Sequence, residues 1–116
     1  MNKVYLLSNC DSCRKIINGL PDKTSFIFHD IKENPITDEE LNEMHKLAGS
    51  YERLFSKRAQ LYKTLNLKNS ALSEDDYRSY ILQHYTFLSR PVFIIEGKIY
   101  IGNSPKVIEE IHNALV

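Results

Sequence analysis

Cys10, Asp11, Ser12 and Cys13 form a Cys-x-x-Cys motif where a short apolar run, Val4-Tyr5-Leu6-Leu7, gives way to a segment that reads as a helix. The motif holds both cysteines of the 116-residue chain. At the start of a helix, unpaired backbone N–H groups and the positive end of the macrodipole favour a thiolate over a thiol, and the thiolate is the reactive form. Two cysteines on one helical turn can also close a disulfide, so the second can release a partner captured by the first. The spacing points to redox chemistry, with Cys10 at the exposed rim as nucleophile and Cys13, sheltered by the next turn, as its resolving partner.

Two other chemistries use cysteines. A structural zinc site needs four ligands, usually a second close pair, whereas His29, His45, His84 and His112 are scattered singly, so no metal site is expected. Inert core thiols are the remaining alternative, although nothing in core packing alone explains this spacing at a strand-to-helix junction.

These residues need a scaffold, and 116 residues suit one domain with a core of its own. Fifteen basic and fifteen acidic side chains cancel, which removes the electrostatic footprint of direct nucleic-acid binding. No apolar stretch approaches membrane-span length, and Met-Asn-Lys-Val-Tyr enters a strand without a signal-peptide pattern. The expectation is a cytoplasmic protein with no membrane partner, in a compartment that keeps thiols reduced and makes a catalytic Cys pair more reasonable than a structural one.

Along the chain, Lys3 to Leu7 reads as a buried strand, Cys13 to Leu20 as a helix with Ile16, Ile17 and Leu20 on one side, and Ser25 to Ile31 as a second strand. Together they make a β-α-β unit. Thr37 with Glu40 forms a capping box for a helix ended by Gly49. Ser56 is placed to cap a helix through Leu65, and Ser73 with Asp76 to cap another through His84. Val92–Ile95 and Ile99–Ile101 around Glu96-Gly97-Lys98 read as a hairpin, and Ser104 to Leu115 as a closing helix with Pro105 in its first turn. The order β-α-β, helices, β-β-α predicts an α/β chain of thioredoxin-like fold, a single domain over residues 1–116 with a central helical insertion at approximately 37–86.

With these pieces placed, the chain resembles the ArsC family of arsenate reductases, and within it the Cys-x-x-Cys branch that includes the Spx regulators. The landmarks are Ser8-Asn9-Cys10-Asp11-Ser12-Cys13-Arg14-Lys15, Phe55-Ser56-Lys57-Arg58 followed by Tyr62-Lys63, and Leu88-Ser89-Arg90-Pro91. The resemblance implies that Cys10 attacks arsenate, that Arg58 and Arg90 hold the oxyanion, and that Pro91, facing the reactive cysteine, follows a cis bond. On its sequence neighbourhood alone, Arg58 is equally a solvated residue of a basic stretch. The family's third arginine, before a proline in the last strand-to-helix connection, is missing from Gly102-Asn103-Ser104-Pro105. Its loss removes both charge and bidentate geometry from an oxyanion site.

The implied activity is that of a thiol-dependent reductase with no bound cofactor, re-reduced by glutathione or by a thioredoxin or glutaredoxin system, acting on a small oxyanion or a thiol/disulfide substrate. Two alternatives stand beside arsenate reduction. One is a general thiol-disulfide oxidoreductase, favoured by Cys13 and the missing arginine. The other is an Spx-like redox switch that binds RNA polymerase, favoured by the local match from Cys10 to Lys15.

Overall fold

In the computed structural model, which describes residues 2–115, β1 (Asn2–Leu6), β2 (Phe26–Asp30), β3 (Val92–Ile95) and β4 (Lys98–Ile101) form one sheet in the order β2-β1-β3-β4. β1 runs parallel to β2 and antiparallel to β3, and β3 pairs antiparallel with β4. A parallel pair needs a crossover, which α1 (Asp11–Asn18) supplies. The antiparallel pair needs only the tight turn at Glu96 and Gly97, both with positive φ of 49° and 78°. With α5 (Pro105–Leu115) closing the chain, this is the expected thioredoxin-like order.

The chain divides into two compact units, residues 1–34 with 90–116, and residues 35–89. In the first, alternate side chains of the sheet, Val4 and Leu6 from β1, Phe26 from β2, and Phe93 and Ile95 from β3, meet Cys13 and Ile16 of α1 and Ile111 of α5 in one apolar cluster. Period-2 strand alternation and the apolar stripes of two helices thus converge on the same core. The cluster includes Cys13, so the face that anchors α1 also shelters one thiol.

The second unit carries α2 (Asp38–Ala48), α3 (Gln60–Thr64) and α4 (Glu74–Gln83), and the stretch expected as an insertion, approximately 37–86, lies in it. Thr37 and Ser73 each complete a capping box, with Glu40 and Asp76, and Gly49 ends α2 in the left-handed region at φ 88°. An aromatic group, Phe55 stacked on Phe87 at 5.2 Å, met edge-on by Tyr62 and at a tilt by Tyr77, fills its interior. Thr37→Ala, which leaves the Glu40 N–H without its 3.1 Å partner, should lower stability by about 1 kcal/mol. Urea unfolding monitored by helical circular dichroism checks this.

Of the boundaries that differ from the sequence reading, three have a clear structural cause. α1 begins at Asp11 rather than Cys13, because Cys10 itself takes the extended N-cap conformation, with φ −95° and ψ 119°. β2 starts at Phe26, after a 3-10 turn at Lys23–Ser25 capped by Asp22. The helix expected from Ser56 to Leu65 is only Gln60–Thr64. Phe55 and Leu88 form an antiparallel bridge, and the Ser56 N–H donates to Phe87 O at 2.7 Å, which holds the backbone extended where the helix was to begin. Arg58 therefore lies on a turn before α3, not within a helix. Among the described residues no helix is long and apolar enough to cross a membrane.

Candidate active site

The junction between β1 and α1 determines how the Cys pair is presented. The Cys10 N–H closes a turn onto Leu7 O at 3.1 Å, and Cys10 O accepts the Arg14 N–H at 3.0 Å, so Cys10 ends the loop and opens the helix. Cys13, three positions on, points into the core and is 0% exposed, while Cys10 is half-buried at its rim. Both are free thiols.

Burial alone would raise the Cys10 thiol; the Cys13 N–H, the Cys13 thiol, the Ser12 N–H and the positive charge of Arg90 outweigh it and hold Cys10 below its ordinary 9.0. The sulfur does not make a full capping hydrogen bond, but the first-turn N–H groups favour its anion nonetheless. Burial is also the chief influence on Cys13, and there it prevails. With the neighbouring Cys10 adding to it, against the Leu7 backbone and Arg90, the Cys13 thiol is pushed up to about 11. The two sulfurs are thus moved in opposite directions by one helix start.

The guanidinium acting on Cys10 belongs to Arg90. Arg14, the nearer residue in sequence, is paired with Asp11 at 2.5 Å on the exposed side of α1. Arg90 directly precedes Pro91, and the peptide bond between them is cis, the form the family resemblance implies. Pro91 O accepts the Gly102 N–H at 2.9 Å, tying the β4–α5 connection to the same loop. Within its unit, the structure therefore groups Cys10 and Cys13 with Arg90 and the adjoining Pro91. Arg58 is carried by the other unit, exposed on its turn.

The sequence reading missed Asp30. Its carboxylate accepts both the backbone N–H and the hydroxyl of Ser8, at 3.2 and 2.5 Å. A signal was present in an acidic residue closing a strand parallel to β1, but the pairing spans 22 positions and needs the strand register to be seen. Among the described residues no group of three or more His, Cys, Asp or Glu side chains is arranged to hold a metal ion.

The arrangement predicts which thiol reacts first. Cys10 lies below 9.0 and Cys13 at about 11, so at neutral pH the thiolate fractions differ by on the order of 100-fold or more. The weaker nucleophilicity of the more acidic thiol returns roughly 6- to 10-fold of that. Pulse alkylation at pH 7 should still label Cys10 at least about 10-fold faster, with the burial of Cys13 widening the gap. Peptide mass mapping checks it, and faster labelling of Cys13 would reverse the assigned roles.

Comparison with known proteins gives the family and the fold. The ArsC family model matches residues 5–111. The global transcriptional regulator Spx 2 of Bacillus cereus is 29% identical over 102 residues, covering 85% of this chain and 77% of its own length. The uncharacterized protein YfgD of Escherichia coli is 28% identical over 117 residues and 94% of both chains. Among solved structures, an arsenate reductase from Vibrio cholerae superposes with a TM-score of 0.75 at 24% identity, over 95% of this chain and 96% of that one, a likeness of fold.

Proposed function

The chain belongs to the ArsC family, and from that premise we propose that it is a thiol-dependent reductase that cycles between a Cys10/Cys13 dithiol and the corresponding disulfide, with arsenate as its first candidate substrate. The observation that carries the proposal is the divided pair at the start of α1, one half-buried thiol held low and one buried thiol held high.

With a disulfide substrate, the Cys10 thiolate attacks one sulfur, a mixed disulfide forms, and the other sulfur leaves as a thiolate. Cys13 then attacks Cys10, the Cys10–Cys13 bond forms, and the second substrate sulfur leaves. With arsenate, Cys10 displaces an arsenic-bound oxygen as water, and attack of a thiol on the Cys10 sulfur passes two electrons to arsenic, giving arsenite. Either cycle ends when two electrons from glutathione, or from a thioredoxin or glutaredoxin, reopen the disulfide.

At about 11 Cys13 looks too weakly acidic to attack, yet two of the influences raising it come from Cys10 itself. Once Cys10 is bound in a mixed disulfide its anion is gone, and those two influences go with it. That step therefore eases the deprotonation of Cys13, while burial, the chief cause of its high value, stays in place. Arg90 would hold the oxyanion, with the backbone N–H groups at the start of α1 completing the cradle.

The test is a reductase assay of the purified protein with arsenate and with a model disulfide, run separately with glutathione/glutaredoxin and thioredoxin systems. Mass analysis in defined thiol buffers should show loss of two protons on oxidation. Turnover of the disulfide alone moves the reading to a general thiol-disulfide oxidoreductase. The similarity to Spx regulators supports a second reading, a redox switch on RNA polymerase. Redox-dependent co-purification of RNA polymerase with this protein, without turnover of either substrate, would favour it.

A further inference from the structure

Cys10 is held in place from outside its own motif. The parallel register puts Leu6 opposite Asp30, so the last side chain of β2 stands beside the chain as it leaves β1. Asp30 Oδ2 accepts the Ser8 N–H and hydroxyl, while Oδ1 accepts the backbone N–H groups of Lys32 and Glu33 at 2.9 and 3.3 Å. One carboxylate thus joins the end of β2 to the loop before Cys10. The path continues through the Leu7–Cys10 turn, at 3.1 Å, into the first turn of α1.

We propose that Asp30 is the positioning residue for Cys10: its carboxylate fixes Ser8, and through it the orientation in which the Cys10 sulfur meets the N–H groups of Ser12 and Cys13. This deepens the reading of Cys10 as nucleophile and rests on it, though not on any particular substrate. The hydroxyl of Ser8 above all, against slight burial and with the three N–H groups helping, keeps Asp30 below its ordinary range. The clamp is therefore ionised at neutral pH and its hydrogen bonds are charge-assisted. A thiolate gains from N–H groups only while they point at it, so a loosened loop should leave Cys10 less acidic.

The sign of the effect separates positioning from simple electrostatics. Removing an anion near a thiol lowers the thiol pKa and speeds its alkylation at pH 7. Removing a positioning carboxylate does the reverse. The experiment measures the pH profile of Cys10 alkylation by iodoacetamide in the full chain, by peptide mass mapping, for Asp30→Ala, Asp30→Asn, Ser8→Ala and the Asp30→Ala/Ser8→Ala pair, with urea midpoints alongside.

Asp30→Ala should move the profile to higher pH and slow the reaction at pH 7 by about 3- to 10-fold. Asp30→Asn should fall between, because one amide oxygen replaces two acceptors. Ser8→Ala should shift the same way by less, and the double variant should be no slower than Asp30→Ala. Profiles that coincide with the unaltered protein, or that move to lower pH, overturn the proposal whatever happens to the urea midpoints. Should Asp30→Ala fail to fold, Ser8→Ala decides on the same criterion. Because alkylation reads the thiolate directly, a protein without reductase activity would fail the functional proposal and leave this one standing, and unshifted profiles would do the opposite.

Discussion

Cys10→Ser should reduce turnover to the uncatalysed background with arsenate and with a disulfide, while Cys13→Ser should leave the first chemical step intact and stop the second. A serine hydroxyl cannot form the sulfur–sulfur bond on which either cycle depends, and the one cysteine that remains, Cys13, is buried with its thiol held high. Losing Cys13 removes the intramolecular attack, whose advantage is that the resolving thiol is already in place. The captured partner then persists on Cys10. Mass spectrometry of Cys13→Ser after exposure to oxidised glutathione should find one glutathione adduct on Cys10, where the unaltered protein shows mainly the internal disulfide. Equal turnover by Cys13→Ser and the unaltered protein would mean that external thiols resolve the intermediate and that Cys13 is a packing residue.

The part of this site that could be read from sequence is the part set by local rules. Hydrophobic runs placed β1 and β3, and Thr37 with Glu40 and Ser73 with Asp76 marked helix starts through contacts three residues apart. Cys10 was legible as the end of a strand-to-helix loop, but α1 was drawn starting two residues late, because a cysteine N-cap offers no strong side-chain acceptor to mark the boundary. The helix assigned from Ser56 failed for a non-local reason: the Phe55–Leu88 bridge holds the chain extended at its start, and the helix forms only from Gln60. Asp30 escaped on the same account, since Ser8 becomes its neighbour only through strand register. Arg90 differs again. Its value could be argued from the family resemblance and its place before Pro91, but its action on both sulfurs depends on where the β3 entry loop lies in space.

Arg90→Ala is expected to lower kcat/KM for arsenate by about 30-fold, the loss of a charge-assisted hydrogen bond worth on the order of 2 kcal/mol in the transition state. Two effects are folded into that figure, and the substrates separate them. Arg90 favours the Cys10 thiolate, so its removal slows attack on any substrate, but the compensating rise in nucleophilicity keeps this part to a few-fold. A neutral disulfide should show only that part. Arsenate should show it together with the lost oxyanion contact. Arg90→Lys restores the charge without the planar fork, and so should recover the disulfide reaction while recovering little with arsenate. With the family's third arginine missing from Gly102-Asn103-Ser104-Pro105, Arg90 would carry a larger share of anion binding than in a three-arginine site, which makes the contrast between substrates the sharper measurement. Equal losses on both substrates, or full rescue by lysine, would reduce Arg90 to a source of positive potential and set the disulfide reaction ahead of arsenate.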